Sequence, residues 1–118
     1  MNSNQPRKDK TTIAPDVLTT ITRLAALSVD GVSRLDTIPG GVNRLFKRGI
    51  SEGVRIIVEN NSVYADLYVI MKQDVNVREV SREIQAQVAR AITEMVGMDV
   101  GRVNIHVENI EYQLVTSS

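Results

Sequence analysis

"KQDVNVREVSREIQ", residues 72–85, is the stretch on which the fold of this chain turns. It crowds acids, bases and amides together directly after an apolar run, as an active site, a metal loop or a solvated junction would. Its flanks decide between them. Upstream, Val63, Ala65, Leu67, Val69 and Met71 alternate with Tyr64, Asp66, Tyr68 and Ile70, the period of two that marks a strand. Downstream, Val77, Val80, Ile84, Val88, Ala91 or Ile92, and Met95 recur every three or four residues, which is helical spacing. Asn76 stands just before the change and Glu79 three residues later. At that spacing a cap side chain and an acid satisfy the free N–H groups of a helix start. Arg78, Glu79, Arg82 and Glu83 lie off the apolar stripe, where surface pairs contribute only about 0.2–0.5 kcal/mol each. The spacing therefore predicts a strand-to-helix junction, with a helix of about twenty residues and about 30 Å ending at Gly97.

Working outward, Val54, Ile56 and Val58 alternate with Arg55, Ile57 and Glu59. Asn60, Asn61 and Ser62 tolerate left-handed backbone and turn that strand into a hairpin with residues 63–71. After the helix, Val103, Ile105 and Val107 alternate with Asn104, His106 and Glu108, a last strand reaching towards Tyr112. Near the start, a short extended piece over 11–14 leads into a helix opened by Pro15 and Asp16. Val17, Leu18, Ile21, Leu24, Ala25 and Ser28 form its expected buried stripe, and Asp30-Gly31 stops it. Residues 32–53 are the least regular part, broken by Pro39-Gly40-Gly41.

The expected architecture is α/β (α+β): a two-layer sandwich in which two main helices cover one face of a three- to four-stranded mixed sheet. Residues 11–112 make one domain, between polar tails at 1–10 and 113–118. A chain of 118 residues supports a single core, and with 3% aromatic residues that core is aliphatic. Fourteen basic residues balance fourteen acidic ones, so nothing in the net charge demands nucleic acid. The absence of cysteine removes disulfides, thiolate catalysis and cysteine zinc sites. No signal-peptide or membrane-spanning run of apolar residues is visible, which predicts a cytoplasmic protein that meets a membrane only through a partner or a surface patch.

Three blocks in series give this chain a family likeness: "IAPDVLTTITRLAALSVDGV" (13–32), "GVRIIVENNSVYADLYVIMKQDVNVREVSREIQAQV" (53–88) and "MVGMDVGRVNIHVENI" (95–110). Together they resemble the alkaline-shock-protein, or envelope stress response, family of bacteria. The resemblance implies a small cytoplasmic α/β domain without catalytic residues, tied to envelope or alkaline stress. It also implies self-association and a membrane-anchor protein as partner. Members usually show an aromatic–glycine pair where this chain has Gln73-Asp74. The family supplies no agreed functional residues, and none is carried over.

Candidate chemistry is sparse. His106 is the only histidine, and a zinc site without cysteine usually needs two or three; Asn104 and Glu108 beside it do not complete one. No hydrolase, phosphate-loop or dinucleotide motif is present, so no catalytic, metal or cofactor residue and no small-molecule substrate is expected. Arg44, Lys47 and Arg48 around Phe46 suggest a phosphate contact and hence, as the alternative function, a small nucleic-acid-binding or regulatory domain. The stronger expectation concerns the sheet. If both helices cover one face, the other presents Ile57, Tyr64, Tyr68, Ile70 and Ile110. Antiparallel sheets normally keep an open face polar, so these residues point to a docked protein partner or a second copy.

Overall fold

The computed structural model describes residues 13–36, 50–51 and 53–112. Helix α1 (Pro15–Leu27) is followed by strands β1 (Val32–Leu35), β2 (Ile50–Ser51), β3 (Val54–Glu59) and β4 (Ser62–Lys72). Helix α2 (Val77–Val96) and strand β5 (Asp99–Glu111) complete the domain. The opening stretch is the expected junction. Asn76 is the N-cap of α2 and its side chain accepts a hydrogen bond from the Glu79 N–H at 3.0 Å, while Gly97 closes the helix in left-handed conformation. Asp74, where relatives are expected to carry glycine, itself takes φ 66°; aspartate tolerates that region better than most side chains.

β4 is the axis of the sheet. On one edge it pairs in parallel with β5 along its whole length, so α2 is the crossover of a β-α-β unit. On the other edge it pairs antiparallel first with β3 and then with β1. Asn60 and Asn61, at φ 51° and 65°, form the two-residue turn of the β3–β4 hairpin, with Glu59 opposite Ser62. β1 and β3 run in the same direction along that edge, end to end, and meet at Tyr68. Its N–H donates to Gly53 O at 2.9 Å and its carbonyl accepts from the Asp36 N–H at 2.7 Å. What β4 sees as one partner strand is thus two, one ending at Leu35 and the other starting at Val54, and the short β2 pairs with the start of β3.

The mixed sheet with two helices on one face is as expected, with one strand more. β1 falls in the segment expected to be irregular, and Ile13 and Ala14 ahead of α1 are not strand. Four residues bounded by breakers are too few to display a period; β1 exists because β4 offers it an edge.

Both helices lie on the face of Val54, Ile56, Val63, Ala65, Leu67, Val69, Met71 and Val103. α2 contributes Val80, Ile84, Val88 and Ile92, one per turn. α1 is rotated from expectation: Leu18, Thr19, Thr22 and Ala26 are buried, while Val17 and Leu24 are exposed. Two threonines lie in the buried ridge, and their polar identity hides it from a hydrophobic count.

Candidate docking face

The face of the sheet opposite the helices is organised by pairing with β4. Arg55, Asp66 and Asn104 stand side by side across three strands, as do Ile57, Tyr64 and Arg102; Tyr68 stands beside His106. Ile57 is 51% exposed and Tyr64 37%, both well beyond what a sealed core allows. The Tyr64 ring lies across Gly101, in the space a side chain there would need. Gly101 is therefore the floor under an exposed aromatic ring.

Next to this apolar pair the polar side chains hold one another. Asp66 Oδ1 accepts from Asn104 Nδ2 at 3.0 Å and meets His106 Nε2 at 3.1 Å. The His106 ring stacks on Tyr68 with centroids 4.4 Å apart and planes 10° from parallel. Partial burial pushes the Asp66 carboxyl up, but the hydrogen bonds from His106 and Asn104 and the positive charges of His106 and Arg55 outweigh it, leaving it below the usual carboxylate range. Alternation within β4 offers Asp66 no polar partner; the parallel register of β5 gives it two. Among the described residues no group of three His, Cys, Asp or Glu side chains is placed to hold a metal ion.

Two of the five residues expected on this face are not available there. Ile110 is on the helix side, partly buried against the core. The register of β5 slips between the Val69 and Ile70 pairings, Val69 facing Val107 but Ile70 facing Asn109. Simple alternation therefore fails beyond Glu108, and Ile110 comes level with Met71 on the core side. Ile70 is only 4% exposed. Arg34, its neighbour on β1, reaches Glu111 of β5 at 3.4 Å, and Ser33 also donates to Glu111. Those contacts cross above the end of β4, where Ile70 sits. Ile57, Tyr64 and Tyr68 remain. Arg44, Lys47 and Arg48 lie outside the described residues.

A second apolar surface escaped the periodicity: Leu24 of α1 and Met95 of α2 are 56% and 70% exposed and flank a shallow groove between the helices with Ile21 and Ala91. Helical spacing alone places both on the apolar stripes of their helices. The one-per-turn burial of α2 carries the core ridge from Ile92 to Val96, past Met95.

The family likeness is decided by a family model, described as of cell envelope-related function, that matches residues 3–112. The chain belongs to the alkaline shock protein 23 family. Family membership brings a cell envelope-related function with it. Among relatives, protein Spy1535 of Streptococcus pyogenes serotype M6 is 37% identical over 99 residues, covering 83% of this chain and 76% of its own. Protein YqhY of Bacillus subtilis is 25% identical over 114 residues, covering 95% and 84%. Among solved structures, a variant of the MamM CTD superposes with a TM-score of 0.50 at 16% identity, over 81% of this chain and 96% of that one. A nickel form of another MamM CTD variant gives 0.50 at 14% identity, over 81% and 99%. At such identities the likeness speaks for the fold alone.

Proposed function

We propose that this member of a cell envelope-related family works without catalysis, as a cytoplasmic docking domain acting through protein–protein contacts and self-association. The observation that carries this reading is the pair Ile57 and Tyr64, exposed on the open face of a sheet whose other face is sealed by helices. An exposed apolar pair in cross-strand contact and rimmed by polar side chains is the kind of surface that marks an interaction site. An apolar centre with a polar rim is also the usual anatomy of an interface. Here the rim consists of Arg55, Asp66, Arg102, Asn104 and His106, three of them already held by mutual hydrogen bonds. Fixing those side chains in advance lowers the entropy cost of binding. Among the described residues no helix is long and apolar enough to cross a membrane; contact with the envelope through an anchor protein is part of the proposal.

Ile57→Glu tests this, because the residue sits on the open face and outside the core cluster. The variant should keep the parent's circular dichroism and Tm, sediment as a smaller species, and lose the envelope protein that co-purifies with the parent. A parent that is monomeric, and that retrieves the same proteins as the variant, would overturn the reading.

A further inference from the structure

We infer that β5 pairs edge to edge with β5 of a second copy, antiparallel about a two-fold axis through Ile105. The proposal rests on the self-association just described and supplies its geometry. β5 is an outer strand of 13 residues, bonded to β4 on one side, and among the described residues no strand pairs with its other side. An open edge of that length is a template for another strand, and proteins usually blunt such edges with charges and bulges. β5 has both, in an arrangement that attracts its own copy. The two register shifts lie towards its ends, between the Val63 and Tyr64 pairings and between the Val69 and Ile70 pairings. They leave a regular run from Arg102 to Val107.

With Ile105 opposite Ile105 of the copy, Val103 faces Val107 and Asn104 faces His106 within that run, and at its ends the exposed Arg102 comes to the exposed Glu108, the extra residue that β5 inserts at its second shift. Symmetry makes the last pair occur twice. A slip of one residue would set core-side residues against open-face ones. A slip of two would put Arg102 opposite His106 or Ile110. The strand is therefore complementary to itself in one register. The outermost pair in that register, Asp99 with Glu111, is like-charged, but it lies beyond the register shifts and Glu111 already has Ser33 and Arg34. The Val103 carbonyl accepts from Gln85 Nε2 at 2.9 Å and keeps a second lone pair. Pairing of this kind joins two sheets into one and makes their open faces, with Tyr64 and Tyr68 of both copies, a single continuous surface.

Charge reversal in the full chain tests the register. Arg102→Glu places like charges opposite one another twice, and the dimer dissociation constant from sedimentation equilibrium should rise about tenfold or more. Glu108→Arg should do the same. The double reversal Arg102→Glu/Glu108→Arg rebuilds both pairs in the opposite sense and should restore the parent's value. Because the chain has no cysteine, Ile105→Cys should give a disulfide-linked dimer on mild oxidation, the two positions being opposite neighbours. A single reversal that dimerises like the parent, or a double reversal no better than the singles, overturns the edge pairing. If Ile57→Glu dissociates the protein while the reversals do not, the open face stands and the edge fails. A parent monomeric at every concentration overturns self-association by either surface.

Discussion

Thr22 is wholly buried in α1 and its hydroxyl has no hydrogen-bond partner. A buried hydroxyl left unpaired costs more than an apolar group of the same shape. Thr22→Val should therefore stabilise the domain by about 1 kcal/mol, a rise of about 4 °C in Tm, read by calorimetry; no gain would mean that the hydroxyl finds a partner in solution. Asp66 contributes to the response to acid. Its carboxyl titrates below its ordinary value in the folded chain, so the unfolded chain takes up the proton first as pH falls. The resulting stability is present above about pH 4 and is lost as pH drops through the lower folded value. Thermal melts between pH 5 and 3 should fall less steeply for Asp66→Asn than for the parent. Parallel curves would show that the contacts with His106 and Asn104 do not favour the charged form.

At the scale of elements, each helix start carries a different local device. α1 opens on Pro15 with Asp16 in its first turn and has no side-chain cap, whereas α2 depends on Asn76. Asn76→Ala should cost about 1 kcal/mol, measured by urea denaturation with an unchanged m-value. A loss of a few tenths or less would mean that water replaces the cap. Both devices are legible in the sequence because they join residues no more than four positions apart. The rotation of α1 and the register of β5 are not. The first depends on which ridge of the helix the sheet accepts, and it accepted Thr19 and Thr22. The second depends on β4, whose pairing moves β5 along by a residue at two places and carries Ile110 to the core side.

Across the whole molecule, the distinctive feature is the point where β1 and β3 share one edge of β4. Gly53 lies there at φ 72°, and a Cβ on it would come within 2.5 Å of the Asp36 carbonyl oxygen and 2.7 Å of the Leu35 Cβ. Those obstacles are backbone and a side-chain root, so little can yield. Gly97 is as left-handed, at φ 79°, but has open space around it. Gly97→Ala should cost about 1–2 kcal/mol for the backbone alone, and Gly53→Ala distinctly more, with β1 amides exchanging faster in hydrogen exchange. Equal costs would mean that the end-to-end junction adds nothing to stability.

Elements whose signals are local and periodic are legible in the chain alone. These are the β3–β4 hairpin with its two asparagines, the α2 start at Asn76, the alternation of β5 up to Glu108, and the family likeness carried by those same segments. The sequence also placed Ile57, Tyr64 and Tyr68 on the face away from the helices, because alternation fixes sidedness wherever pairing is regular. Tertiary structure decided what depends on a neighbour distant in the chain: the existence of β1, the meeting of Asp66 with His106 and Asn104, the burial of Ile70 and the turning inward of Ile110. A strand's faces follow from its own sequence only while its register is uninterrupted, and a register shift is a property of two strands together.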